Sequence, residues 1–440
     1  FARVNYSMLD RYIVSASVRR DGSSIFAENN KYGYFPAGSV AWRISEESFA
    51  SNLNVLSNLK ARVSYGLVGN EAVLQGNALQ LYSTGRDALI GDTQYTGVSL
   101  GQIANPDLTW EKNYTFNVGL DFGLFSNRIS GTFDYFIKTA KDLLDYNPLP
   151  SNNPVGSIAD NVGSTQSKGF EVSLSTQNVA STNFQWSTNM NVSYYKATWV
   201  ERNPRTPLPG WVDPNGAMDT IYGWETDGII NSEDEIPPAM QDDPDTPAYD
   251  GAYLGNVKYV DQNGDEVLDS QDVVKLGNST PRWNVGLDNT FSYKNLSLNV
   301  YLYGNFDFMR GNNYVPSVFS ISQRTNPENT TIYATDIFSA DNRDGKYAGI
   351  ASNPFDGNNP AGSDYQDYDA SFVRISNVSL SYTLPNSLFG SDSPLRRARL
   401  FVNLQDLGVI SNYPGFDPEL TEPNPYPRSY STTVGIELNL

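Results

Sequence analysis

The sequence predicts an all-β, antiparallel fold, and three observations support this prediction. Apolar and polar residues alternate with period two over many segments, which indicates strands with one apolar and one polar face. These segments are long, roughly ten residues or more, whereas strands of soluble proteins average about five or six. The connections between the segments alternate between short and long along the 440-residue chain.

The alternation is clearest in the segment YTFNVGLDFGL, at residues 114–124. Every second residue from Tyr114 to Leu124 is apolar, and the residues between them are polar or glycine. After a four-residue turn at 125–128 the alternation resumes at Ile129, and it recurs in NLSLNVYLY at 295–303. We therefore predict that each of these segments is a strand.

Patterns of this kind predict thirteen strands, with ends placed to within a few residues. The strands lie near residues 1–9, 11–20, 36–45, 58–67, 110–122, 128–140, 166–178, 183–198, 281–293, 295–307, 370–385, 394–406 and 428–440. The short connections lie at residues 10, 46–57, 123–127, 179–182, 294 and 386–393. The long connections lie at residues 21–35, 68–109, 141–165, 199–280, 308–369 and 407–427.

Two architectures are compatible with such strands. In a large soluble β-sandwich or propeller, the apolar faces form the core. In an outer-membrane barrel, the apolar faces contact lipid and the polar faces line a wet lumen. The regular alternation of connection lengths favours an antiparallel transmembrane β-barrel with short periplasmic turns and long extracellular loops, because a sandwich gives no reason for it.

The end of the chain also fits a barrel. The last segment, YSTTVGIELNL, is predicted to be a strand with an apolar face, as in a barrel-assembly signal. The residues on that face are Tyr430, Val434, Ile436, Leu438 and Leu440. Thirteen strands is an odd number, whereas single-chain bacterial barrels have an even number. Residues 1–440 are therefore predicted to be the C-terminal part of a larger barrel.

Composition excludes several classes of function. The chain has no Cys and no His, so it can form no disulfide, no thiolate or histidine metal site and no Ser-His-Asp triad. Its net charge of −19 argues against nucleic acid as a partner. No pair of carboxylates stands in a context that indicates catalysis, so we predict no catalytic residues and no enzyme activity.

Residues 261–272, DQNGDEVLDSQD, resemble the spacing of an EF-hand calcium loop. Asp272 is shorter than the usual closing Glu, Glu266 stands where Gly is usual, and Gly264 comes two places earlier. The flanking sequences read as extended, so the loop is predicted to hold Ca²⁺ as a static site and not as a sensor. The alternative is a polar Asn-Gly turn with solvated acids. The predicted metal ligands are Asp261, Asn263, Asp265, Val267 through its backbone carbonyl, Asp269 and Asp272.

The long connection 199–280 is acidic, with 17 Asp and Glu against 4 Lys and Arg between residues 200 and 280. Such a surface could hold divalent cations, although a solvated exposed loop is the simpler interpretation. Its aromatic side chains could stack on sugar rings, or could instead pack the loop against its neighbours or another protein. The candidate substrate contacts are Trp211, Tyr222, Trp224, Tyr249 and Tyr253.

Seven stretches in order resemble the SusC/RagA family of TonB-dependent outer-membrane transporters, typical of Bacteroidetes. They are RDGSSIFAENNKYGYFPAGSVAWRISEESF, LKARVSYGLVGN, NPDLTWEKNYTFNVGLDFGLFSNRISGTFDYF, NVGSTQSKGFEVSLS, VKYVDQNGDEVLDSQDVVKLGNSTPRWNVGL, YDASFVRISNVSLSYTLP and NYPGFDPEL. Together they span nearly the whole chain. One departure is Leu440, since these barrels usually end in Phe.

The resemblance implies a 22-stranded barrel in the bacterial outer membrane, surrounded by lipid and closed by an N-terminal plug. It implies import of oligosaccharides or peptides, a SusD-like surface lipoprotein as a lid, and TonB pulling on an N-terminal box. Neither plug nor TonB box is recognisable in these 440 residues. Two alternatives stay open: a non-transporting scaffold subunit of an outer-membrane complex, and a secreted Ca²⁺-dependent carbohydrate-binding β-protein.

Overall fold

The computed structural model describes ten ranges of the chain in two compact units. The ranges are residues 1–71, 80–85, 87–240, 254–312, 335–339, 341–348, 362–365, 367–389, 394–420 and 426–439. Unit 1 comprises Phe1–Leu208 and Pro214–Met218, and unit 2 comprises Pro209–Asp213 and Asp219–Leu440. Strands are numbered β1–β26 in chain order.

Unit 1 contains eight long strands, each hydrogen-bonded antiparallel to the next. They are β1 (Ala2–Met8), β2 (Tyr12–Gly22), β3 (Tyr32–Arg43), β4 (Leu56–Asn70), β9 (Glu111–Leu124), β10 (Ile129–Lys141), β13 (Ser164–Ala180) and β14 (Phe184–Glu201). Short strands pair within the connections as β5 with β8, β6 with β7 and β11 with β12. Their bounds are β5 (Leu81–Thr84), β6 (Ala88–Ile90), β7 (Thr93–Tyr95), β8 (Val98–Gln102), β11 (Leu144–Pro148) and β12 (Ser157–Asn161).

Unit 2 contains five long strands, again each antiparallel to the next. They are β19 (Trp283–Tyr293), β20 (Leu296–Phe306), β24 (Phe372–Thr383), β25 (Arg397–Ser411) and β26 (Ser431–Asn439). The short strands are β15 (Thr220–Trp224), β16 (Thr226–Ile229), β17 (Val257–Tyr259), β18 (Val273–Asn278), β21 (Met309–Gly311), β22 (Gly362–Ser363) and β23 (Asp367–Asp369). Among these, β15 pairs antiparallel with β18 and parallel with β22.

Helical structure in the described residues is confined to 3₁₀ turns. Those that lie wholly within the described residues are Ile44–Glu46, Glu233–Glu235, Pro238–Met240 and Asn386–Leu388, and residues 335–336 are also in a 3₁₀ turn. In the same part of the chain, no helix is both long and apolar enough to cross a membrane.

Each of the thirteen predicted strands coincides with one long strand. Several strands run further than predicted on the long-connection side: β4 continues to Asn70 and β25 to Ser411. In β4 the added end contains Gly69 and Asn70, and in β25 a register shift opposite Ile375 and Asn377 interrupts the alternation, although the hydrogen-bonded ladder continues in both. The all-β antiparallel prediction is confirmed.

The apolar face of the unit 1 sheet is exposed and not buried. Val40, Val63, Val118 and Tyr135 lie opposite one another on successive strands, with exposed fractions of 53%, 45%, 38% and 38%. The opposite face carries a polar row of Ser15, Ser39, Ser64 and Asn117. A soluble sandwich would bury the apolar row, whereas a transmembrane barrel turns it toward lipid.

The buried apolar residues lie instead in the connections and at the strand ends beside them. In unit 1 they are Phe26, Phe35, Leu108, Trp110, Leu144 and Ala159. In unit 2 a small cluster comprises Phe308, Ala370 and Phe372. A larger one comprises Trp224, Ile229, Ile230, Met240, Val257, Tyr259, Val273 and Ala348. The long connections therefore carry their own cores, as their length requires.

Candidate functional site

The acidic connection comprises residues 202–282, between β14 and β19. Its described residues that belong to unit 2 pack around the larger apolar cluster of that unit. Its three described candidate substrate contacts all belong to this cluster. Trp224 is only 2% exposed, and its indole N–H donates to the Asp269 carbonyl at 3.0 Å. Trp211 and Tyr222 are partly buried against the same cluster. Trp224 therefore packs the loop and has no free face for a sugar ring.

The other two candidate contacts, Tyr249 and Tyr253, lie outside the described residues. Tyr222 accepts a hydrogen bond from the Asp213 N–H through its hydroxyl, at 3.1 Å. Substrate contact by Trp211 and Tyr222 stays a prediction.

The calcium-like loop 261–272 is folded by its own carboxylates. Both oxygens of Asp261 accept backbone N–H groups, from Gly264 at 2.7 Å and from Glu266 at 2.8 Å. Both oxygens of the fully buried Asp272 also accept N–H groups, from Gln262 and Asp269. The first and last of the predicted ligand positions thus close the loop through backbone hydrogen bonds.

The middle positions of the loop follow the same pattern. Asn263 and Asp265 are joined side chain to side chain at 2.9 Å, and Asp265 accepts the Val267 N–H. Partial desolvation pushes the pKa of Asp261 upward. The N–H groups of Glu266 and Gly264 outweigh it, so the pKa of Asp261 lies below its usual range. Asp261 is therefore charged at neutral pH, as a calcium ligand must be.

The backbone of this loop fits a calcium site better than its side-chain arrangement does. Position six needs a sharp turn, and Glu266 supplies it with a φ of 66°. In the described ranges, no group of three or more acidic side chains is arranged to hold a metal ion. Calcium binding by this loop stays a prediction.

Replacing Glu266 by glycine is expected to tighten the loop. A left-handed conformation costs a side-chain-bearing residue roughly 1 kcal/mol, and glycine avoids most of it. Glu266→Gly should therefore slow hydrogen exchange of residues 261–272 about threefold. Gly264 has a φ of 74° with open space around it, so Gly264→Ala is the matched control and should speed exchange. Equal exchange in both variants would contradict this account.

A buried ion pair anchors the C-terminal end of the acidic connection. The Arg282 guanidinium, 4% exposed, holds both oxygens of Asp219 at 2.7 and 3.0 Å and also donates to Asn278. The Asp219 carboxylate also accepts the Thr280 hydroxyl. Burial raises the pKa of Asp219, but the bonds from Thr280 and Arg282 outweigh it and leave the pKa lowered.

A second buried ion cluster anchors the connection that follows β25. Arg374 on β24, with 3% of its side chain exposed, donates to Asp417 and Glu419 at 2.7 Å. Tyr303 donates to Glu419 at 2.7 Å, and Arg428 lies 3.5 Å from both acids. The NYPGFDPEL stretch is thereby fixed to the sheet. The sequence analysis predicted no structural role for Arg374 or Arg282. The available signal for Arg374 was an arginine inside the apolar strand sequence SFVRISNVSL.

Two half-buried carboxylates lie where the acidic connection meets β22 and β23. The Asp364 side chain accepts the Thr226 hydroxyl at 2.6 Å, and its N–H donates to the Trp224 carbonyl. Burial raises the pKa of both Asp364 and Asp367. For each of them, the charge of a neighbouring acid raises the pKa further. The folded loop therefore binds protons more tightly than the unfolded loop.

The local stability of this region should fall as pH rises from the ordinary Asp pKa of about 4 through the raised values. Asp364→Asn removes the charge and keeps an acceptor for Thr226. We expect it to slow hydrogen exchange of residues 362–369 several-fold at pH 7 and to change little near pH 4. The exposed Asp341→Asn variant is the control. Equal effects of Asp364→Asn at both pH values would refute the assignment.

Comparison with known proteins supports the architecture over the whole chain. The family profile described as "TonB dependent receptor-like, beta-barrel" matches residues 1–407. TonB-dependent receptor P3 of Formosa agariphila is 31% identical over 460 residues, covering 99% of this chain and 43% of that protein. TonB-dependent receptor SusC of Bacteroides thetaiotaomicron is 30% identical over 463 residues, covering 100% of this chain and 43% of that protein.

Among solved structures, the RagAB peptide transporter superimposes with a TM-score of 0.77 at 26% identity, covering 99% of this chain and 47% of the matched chain. The chain thus spans less than half the length of these relatives. The similarity to SusC and RagAB confirms the resemblance inferred from the seven stretches. The chain belongs to the TonB-dependent receptor family of outer-membrane β-barrel proteins.

Proposed function

We propose that the whole protein imports an oligosaccharide or a peptide across the outer membrane, and that this chain forms part of the barrel wall and its extracellular connections. The observation that carries the proposal is similarity to SusC and to the RagAB peptide transporter over essentially the entire chain. The anchored connections support it, because a substrate or lid protein needs fixed surfaces to contact. The protein would be a transporter and not an enzyme.

The proposed partners are a SusD-like surface lipoprotein over the long connections and TonB, acting on a plug and TonB box outside these 440 residues. The RagAB importer has been solved in states described as open-open and closed-closed. A lid that opens and closes needs a firm seat on the barrel. The buried ion clusters around Arg282 and Arg374 would hold the connections in place for contact with the lid.

The two alternative functions receive less support. The exposed apolar row of Val40, Val63 and Val118 argues against a secreted carbohydrate-binding protein, because such a face would promote aggregation in water. A scaffold subunit without transport would share the fold, so only a transport measurement separates it from an importer.

The test measures uptake of fluorescein-labelled oligosaccharide and peptide libraries by the source bacterium with and without the gene. We expect uptake of one library to require the gene and to cease when TonB is depleted. A surface lipoprotein should co-purify with the protein in detergent. Uptake that never depends on the gene, together with an intact lipoprotein complex, would instead support the scaffold function.

We also propose that the loop 261–272 binds Ca²⁺ as a structural ion that braces the acidic connection for lid docking or substrate contact. Oxygen atoms of Asp261, Asn263, Asp265, Val267, Asp269 and Asp272 would hold it. The spacing of these residues, the left-handed Glu266 and the charged Asp261 support the proposal. The bound Ca²⁺ would neutralise part of the negative charge of this strongly acidic segment.

Calorimetry with CaCl₂ on the whole protein tests this proposal. We expect Asp261→Asn to weaken calcium affinity at least about tenfold, since a carboxylate ligand is lost. Asp234→Asn, on an exposed 3₁₀ turn of the same connection, should leave the affinity unchanged. No binding heat in the wild-type protein would overturn the calcium proposal and leave the import proposal intact.

A further inference from the structure

On the outward face of unit 1, which is the face that carries the exposed apolar row, there are two pairs of lysines. Within each pair, the two lysines lie directly opposite each other on neighbouring strands. Lys112 on β9 faces Lys141 on β10, and Lys168 on β13 faces Lys196 on β14. Lys168 also lies opposite Ile137, which shares the outward phase with Tyr135 and Phe133. Like charges placed directly opposite on neighbouring strands destabilise a sheet. Two such pairs on one face therefore need a compensating negative charge.

Among the described residues, only the first pair has such compensation. Lys112 contacts the Asp142 carboxylate at 2.8 Å. Lys141 lies over the ring of Tyr114, with 5.7 Å from its Nζ to the ring centroid. Lys168 and Lys196 are both exposed, and no carboxylate in the described residues pairs with either. The other residues that lie beside them on this face of β10, β13 and β14 are apolar or uncharged.

The position of these lysines along the strands places them at the edge of the membrane. On the short-turn side of Lys168 and Lys196, the same face carries the stacked rings of Phe170 and Tyr194, 5.8 Å apart. On the other side, β10 and β14 run into long connections, and long connections of outer-membrane barrels are extracellular. Aromatic rings followed by cationic side chains mark a membrane–water interface. The lysine stems can follow the apolar surface while their ammonium groups reach the headgroup layer.

We propose that Lys168 and Lys196 bind the phosphate group of a lipid in the extracellular leaflet. Ammonium groups bind phosphate as point charges. The uncompensated pair stands out in a chain of net charge −19, where most of the surface repels anions. A phosphate-bearing lipid satisfies both the charge and the apolar surface beside it.

Native mass spectrometry of the whole protein in detergent tests this proposal with two matched probes, dioleoyl phosphatidic acid and dioleoylglycerol. We expect the wild-type protein to prefer the phosphorylated lipid about tenfold. The Lys168→Gln/Lys196→Gln variant should lose this preference, and Lys168→Arg/Lys196→Arg should keep it. Lys138→Gln is the matched control, because Lys138 lies on β10 in the opposite phase, beside the ring of Phe136.

Three outcomes would overturn the proposal: equal binding of both lipids by the wild-type protein, an unchanged preference in the double glutamine variant, or full displacement of the lipid by millimolar inorganic phosphate. The last would indicate an anion site with no lipid specificity. Unchanged heat-modifiable mobility on electrophoresis shows that a variant has folded. The proposal is independent of what the protein imports.

Discussion

Replacing Arg374 by methionine is expected to release residues 412–420 from the unit 2 sheet. Arg374 is nearly inaccessible and bonds to Asp417 and Glu419, and Asp417 is itself 6% exposed. Methionine keeps much of the apolar stem but leaves two acids without their main cation. Breaking a buried pair in this way costs about 3–5 kcal/mol, which corresponds to a loss of at least about 100-fold in local hydrogen-exchange protection.

The exposed ion pair Arg399–Glu437 provides the matched control for Arg374. Its side chains are 38% and 64% exposed, and it joins β25 to β26 in the same unit. Because water solvates both groups, Arg399→Met should change protection by less than about fivefold. Equal effects of the two variants on residues 412–420 would show that the Arg374 cluster does not anchor this connection.

An arginine on the outward face of β4 is expected to impair barrel assembly. Val63 lies in the middle of the exposed apolar row, opposite Val40 and Val118. An arginine at the bilayer midplane of a transmembrane barrel costs about 2–4 kcal/mol. Val63→Arg should therefore reduce the heat-modifiable, membrane-inserted fraction, measured by electrophoresis of outer-membrane extracts.

The adjacent residue Ser64 is the control for Val63. It lies on the polar face opposite Ser39 and Asn117, where an arginine can be hydrated. Ser64→Arg should leave the inserted fraction nearly unchanged. If Ser64→Arg were the more damaging of the two substitutions, the assignment of the faces would be reversed.

The long strands could be predicted because their pattern is local. In β9 and β10, period two extends over more than ten residues, and the turn at 125–128 is short. The short strands of the acidic connection could not be predicted in the same way. Strands such as β17 have three residues, and β15 pairs with β18 about fifty residues away. Too few residues are present for periodicity to indicate a strand or a partner.

The candidate site illustrates the same limit. The calcium-like spacing of residues 261–272 is visible in the sequence because its ligands are close together in the chain. The surroundings of Trp224 are not visible, because its partners Tyr259 and Val273 come from distant strands. Arg374 and Arg282 form buried clusters with acids 43 and 63 residues away. Sequence alone shows that these arginines lie in predicted strands, but not which acids they pair with.

The central claim is that the apolar face of these strands contacts lipid and the polar face contacts water. The chain has no native cysteine, so single spin labels at Thr115→Cys, Asn117→Cys and Val118→Cys on β9 can measure this in lipid vesicles by electron paramagnetic resonance. We predict that the label at 118 is accessible to oxygen and protected from a water-soluble nickel complex, while the labels at 115 and 117, on the polar face, show the reverse. Labels at all three positions with equal access to the nickel complex would contradict a lipid-facing barrel wall.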